Sequence, residues 1–150
     1  MRLPFKLGGN MKTKFRTSIL LVIFAFFSVT LAAQKNEEIS TKHLGTYKKA
    51  STIWKNLLVP RKLNQTQLLK LAQELHKTEP TINFRLFDDD KQFQSFMDWD
   101  INYPNPAYPW PQKWVKEHHV ANIQPMAYDT SGPKWAILKG YTSEKIADLE

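Results

Sequence analysis

The sequence predicts an α+β domain: a small four-stranded mixed sheet, formed by a βαβ unit followed by a β-hairpin, with one main helix packed on it and an ordered proline–aromatic loop. Three observations carry this. An amphipathic stretch with a complete helix-start signature lies between two strand-like runs. Two further strand-like runs flank a turn cluster near the C-terminus. Between these halves, residues 99–114 hold three of the five Trp, two of the five Tyr and four of the nine Pro, large rings on a stiffened backbone.

Targeting comes first in the chain. Ile19 to Ala33 is a run of 15 residues, apolar but for Ser28 and Thr30, preceded by Lys12, Lys14 and Arg16 and closed by Ala32 and Ala33. A basic n-region, an apolar h-region and small residues at the cleavage position are the parts of a secretory signal. The run is also short of the roughly 20 residues that a spanning helix needs. Residues 1–33 are therefore expected to be leader and signal peptide. Residues 34–44 are expected to be a flexible tether, and residues 45–150 a single globular domain. The domain is expected in the periplasm or outside the cell, touching the membrane only through the signal segment if that is not cleaved.

The formal net charge of +7 comes mostly from this leader, which holds five of the 21 Lys and Arg and no acid. The remaining chain has 16 basic and 14 acidic residues, a net of +2, without the electrostatic footprint of a nucleic-acid binder. No Cys is present, so the exported domain relies on its core alone.

The elements follow in order. Ser51 to Val59 is rich in β-branched and aromatic residues and stops at Pro60; apolar weight on both faces predicts a strand away from the sheet edge. Asn64 and Gln67 have capping-box spacing, Leu63 and Leu68 that of a hydrophobic staple, and Leu68, Leu71, Ala72 and Leu75 form one stripe. This predicts a helix from about Gln65 to Lys77. Thr81 to Phe87 alternates, with Ile82, Phe84 and Leu86 on one face and Asn83 and Arg85 on the other, a half-buried strand parallel to the first.

Asp89 and Gln92 repeat the capping-box spacing ahead of Phe93, Phe96 and Met97, predicting a short helix from about Asp90 to Asp98. Pro111 suits the first position of a helical turn that would align Trp110, Trp114 and His118. Val120 to Met126 and Trp135 to Tyr141 read as an antiparallel hairpin around Asp129 to Pro133, and the tail from Ser143 as a last helical turn.

The chemistry-bearing candidates are few. Asp88 and Asp90 are weak metal candidates, since the acidic triplet lacks the ligand spacing of a Ca²⁺ loop and suits helix capping better. His118 and His119 are adjacent and point to opposite faces in an extended chain, so at most one joins a given site. With Asp98 they are weak catalytic candidates for proton transfer. There is no Cys, no G-x-S-x-G and, past the leader, no Gly-rich phosphate loop, so no cofactor is expected.

The ligand-binding candidates are Tyr103, Tyr108, Trp110 and Trp114, whose rings can stack on a sugar or accept a protein partner. Most rings of the segment are expected to cover the sheet, with Tyr108, between two prolines at the middle of the loop, the one expected to face outward. The first expected function is a non-enzymatic binding module of the cell envelope that takes a glycan or protein partner. The alternative is a hydrolase-like envelope enzyme using a His/Asp pair near the same loop.

Overall fold

The computed structural model describes residues 38–149; the expected leader and signal peptide, residues 1–33, lie outside the described residues. The elements run β1 (Lys42–Lys49), β2 (Thr52–Leu58), α1 (Gln65–Thr78), β3 (Asn83–Phe87), α2 (Phe93–Asn102), α3 (Gln112–His118), β4 (His119–Asp129), β5 (Gly132–Lys139) and β6 (Lys145–Asp148). The strands form one sheet in sequential order, β1-β2-β3-β4-β5-β6. Only β2 and β3 are parallel, joined by α1 as the βαβ reading requires; every other pair is antiparallel. No helix among the described residues is long and apolar enough to cross a membrane.

Among the described residues the sheet therefore has six strands where four were expected, and there are three helices where one main helix was expected. The two additional strands are the outermost ones, and each carries little apolar pattern of its own. β1 contributes Leu44 and Tyr47 to a core but is otherwise polar, and its first residues, Lys42–Leu44, fall in the stretch expected to be a tether. β6 takes up the tail expected to be a helical turn; it is four residues long and packs Ile146 and Ala147. Both exist because their backbones complete a neighbour's ladder, a non-local pairing that periodicity does not register.

α1 matches its expected start and stripe. The Asn64 side chain accepts from Gln67 N–H at 2.9 Å and the Gln67 side chain accepts from Asn64 N–H at 3.0 Å. Leu68, Leu71 and Ala72 are buried, and Leu63 and Leu75 pack beside them. This stripe meets Leu57, Val59, Phe84, Leu86, Ala121, Ile123, Trp135 and Ile137 on one face of the sheet. Replacing Asn64 by Ala is expected to cost about 1 kcal/mol, read as a lower denaturation midpoint at unchanged slope; an unaltered midpoint would count against the cap's contribution.

α2 and α3 cover the opposite face. Strand alternation turns Phe87 away from Phe84 and Leu86, into a cluster with Phe93, Phe96, Met97, Trp114 and Val115. The Phe87 ring lies 5.3 Å from Trp114 in a stacked arrangement and 5.2 Å from Phe96. The domain thus has helices on both faces of the sheet, not on one.

The proline–aromatic segment is shorter as a loop than its composition suggests, because its ends are helical: Trp99 lies in α2 and Trp114 in α3. α2 starts at Phe93, three residues after its expected start, and its N-terminal residue makes no side-chain capping bond, so the Asp89–Gln92 box does not form. Asp89 instead accepts from Lys91 N–H, Arg61 and the Trp114 indole. α3 begins at Gln112, directly after Pro111, and the Tyr103–Pro104 bond is cis. Pro125 is accommodated by a register shift in β4, past the end of its pairing with β3.

Candidate functional site

On the face covered by α2 and α3, the helices reach only part of the sheet. Where they stop, a cleft of about 290 Å³ opens between α2, the proline–aromatic loop and the β4–β5 side. Its floor is polar: Arg85 from β3 and His119, Asn122 and Gln124 from β4. Its rim is aromatic: Trp54 from β2, Trp99 from α2, Trp110 from the loop and Tyr141 beyond β5. Gly140 closes the floor because nothing larger fits; a Cβ there would lie 1.8 Å from the His119 carbonyl oxygen.

Arg85 is the centre of this floor. Its guanidinium carbon lies 3.8 Å from the Trp54 ring centroid and 5.3 Å from that of Phe96, within cation–π reach of both. Its Nη1 donates to Asp100 Oδ2 at 2.7 Å and bonds to the Tyr47 hydroxyl, which also bonds to Asp100. Lys49 Nζ adds bonds of 2.7 Å to Asp100 Oδ1 and to the Asp100 carbonyl. Burial opposes both charges of the central pair: it pushes the Asp100 carboxyl up to about 6 and Arg85 down to about 10. Lys49 is lowered too, by burial first and then by the Arg85 charge.

His119 is held neutral in the same floor. Burial, followed by the Arg85 charge, lowers it to about 4 against the opposing hydrogen bond to Asn122. The Asn122 amide nitrogen donates to the Gly140 carbonyl, so its Oδ1 is the acceptor at 2.9 Å from His119 Nε2, which therefore carries the proton.

A pH dependence follows with a definite sign. Between pH 6.5 and about 4 the unfolded chain protonates this histidine while the folded chain resists, so its contribution is lost as pH falls through that window. His76, lowered by burial, acts in the same direction. Asp100, raised by burial, binds its proton more tightly when folded and acts in the opposite direction from about pH 6 downward. Asp89 is held down to about 2 by the Trp114 indole and then Lys91 N–H, and loses its contribution only at lower pH. Relative to the unsubstituted protein, His119→Gln is therefore expected to gain up to about 3 kcal/mol between pH 6.5 and 4. Equal pH profiles in urea denaturation would count against a neutral, half-buried His119.

The rings of the loop divide between core and surface. Trp114 is 4% exposed, whereas Tyr103, Trp110 and Tyr108 are 61%, 42% and 39% exposed. The expectation that most rings cover the sheet thus holds for Trp114 and the half-buried Trp99 only, and Tyr103 projects further than Tyr108. Trp110 stacks on Trp99 at 5.0 Å and 13°, with Tyr103 edge-on to Trp99 and Tyr141 6.1 Å from Trp110. Trp110 leaves the side of α3 it was expected to share with Trp114 and His118, because the chain ahead of Gln112 is not helical.

The two adjacent histidines serve different places. His118 Nδ1 is 2.8 Å from Asp88 Oδ1, beside a second hollow of about 260 Å³ lined by Arg61, Asp89, Lys91, Lys113 and Trp114. Asp98 meets neither histidine; its carboxylate accepts from Gln94 at 2.8 Å. Asp90 pairs with Lys42 at 3.1 Å, so the acidic triplet is split among separate partners. Among the described residues no group of three His, Cys, Asp or Glu is placed to hold a metal ion.

Sequence reasoning did not single out Arg85, Asp100, Asn122, Gln124, Trp54 or Tyr141. One signal was present: Asp100 completes the spacing of Phe93, Phe96 and Met97, which puts an acid on the apolar stripe of α2. A buried carboxylate at such a position needs a cation opposite it. No family model, curated protein or solved structure matches the chain.

Proposed function

We propose that this chain is an exported binding module of the cell envelope and that its ligand, a glycan, occupies the cleft over Arg85. One observation carries the reading: the Trp99–Trp110 stack and Tyr141 form a partly exposed aromatic rim directly over a floor of Arg85, His119, Asn122 and Gln124. A sugar ring has apolar faces that lie on indoles and a hydroxyl edge that bonds to amide, imidazole and guanidinium groups. A protein-docking surface, by contrast, is flatter and has a drier centre.

Titration with soluble peptidoglycan fragments and oligosaccharides, followed by tryptophan fluorescence, tests this. Trp110→Ala is expected to keep the fold, with a stability change below about 1 kcal/mol, and to lose binding. A variant that binds as tightly as the unsubstituted protein would remove the rim from the reading. The export part rests on the run from Ile19 to Ala33. N-terminal sequencing of the exported protein is expected to find Ala33 or Gln34 first.

A second reading, an envelope hydrolase, draws on the Asp88–His118 pair, in which a carboxylate 2.8 Å from Nδ1 orients an imidazole for proton transfer at Nε2. It predicts a hydrolytic activity that His118→Ala abolishes and Trp110→Ala does not.

A further inference from the structure

Arg85 has more donors than its partners use. Nη1 is committed to Asp100 and Tyr47, while Nε and Nη2 make no hydrogen bond among the described residues. These donors belong to a side chain that is 13% exposed and lines the cleft. With Trp54 3.8 Å and Phe96 5.3 Å from the guanidinium carbon and Nη1 already committed, the Nε/Nη2 edge is what remains for a ligand.

The charges agree with the geometry. Among the described residues Asp100 is the one acidic residue lining the cleft, and it is shared by two cations, Arg85 and Lys49, each at 2.7 Å. His119, Asn122 and Gln124 add no charge when the imidazole is neutral. The ensemble therefore carries a net positive charge whose most accessible expression is a planar pair of N–H donors, the complement of a carboxylate. A neutral sugar hydroxyl would satisfy one of these donors and leave the charge excess unanswered.

Resting on the glycan reading of the same cleft, we infer that the ligand is an acidic glycan whose uronic-acid carboxylate is bound by the Nε/Nη2 edge of Arg85 while its ring lies against Trp110. Lys49 and Asp100 are positioning residues in this arrangement. They hold Nη1 inward and so fix the direction of the free edge.

The test compares an oligosaccharide of alternating glucose and glucuronic acid with the neutral glucose oligosaccharide of the same length, by tryptophan fluorescence and calorimetry. The acidic ligand is expected to bind about tenfold tighter or better, the factor that one charge-assisted bond supplies. The advantage is expected to shrink with added salt. Arg85→Lys retains a cation for Asp100 but not the planar edge, and is expected to reduce acidic binding to the neutral level. Equal affinity of the two ligands for the unsubstituted protein, or an acid preference that survives in Arg85→Lys, overturns the inference and leaves the glycan reading standing. Binding of neither oligosaccharide overturns the inference, and binding of neither these nor the peptidoglycan fragments overturns the glycan reading as well. The comparison on the unsubstituted protein needs no variant to fold.

Discussion

Trp114→Ala is expected to lose about 3–5 kcal/mol of folding stability, a large share of what a domain of this size has. The ring is 4% exposed and packs between Phe87 and Phe96, so its removal opens a cavity at the junction of β3, α2 and α3. It also takes away the indole N–H that donates to Asp89 at 2.9 Å, leaving that nearly buried carboxylate with Arg61 and Lys91 N–H only. The measurement is the urea midpoint and slope, set beside those of Trp110→Ala. Two tryptophans four residues apart are expected to separate cleanly, one acting on stability and the other on binding. A comparable loss in both would mean that Trp110 is as much a part of the core as Trp114.

Removal of the Asp100 carboxylate is expected to be nearly as damaging. Asp100→Ala leaves the Arg85 guanidinium under α2 without its counter-ion, and breaking a buried pair from one side costs about 3–5 kcal/mol. Lys49→Ala, which removes the more exposed partner of the same carboxylate, is expected to cost no more than about 1 kcal/mol. A double-mutant cycle between positions 85 and 100 is expected to show strong coupling. If Asp100→Ala proves as mild as Lys49→Ala, water has replaced the carboxylate and the pair is not dry. The outcome bears on function as well, since Asp100 fixes which edge of Arg85 faces the cleft.

The candidate site was legible only in outline. Trp110 and Tyr103 stood out because aromatic residues between prolines are unusual, and the exposed positions of both place them on or near the rim. The polar floor was not visible because Arg85 and Asn122 sit on strands as ordinary alternating residues. His119 becomes special only where Asn122, Gly140 and Arg85 converge on it. The Asp88–His118 pair joins residues thirty positions apart, a proximity that neither residue's local sequence encodes.

What the sequence by itself determined is local. The capping box and apolar stripe of α1, the alternation of β3 and the hairpin around Asp129 to Gly132 are set by side chains within a few positions of one another, which spacing alone can express. What only the tertiary structure decided is pairing and layering. β1 and β6 are strands because neighbours supply hydrogen-bond partners, and α2 and α3 take the second face because β3 turns Phe87 there, opposite to Phe84 and Leu86. The cleft follows from that layering, since it lies where the helices on the second face end and β4 and β5 continue.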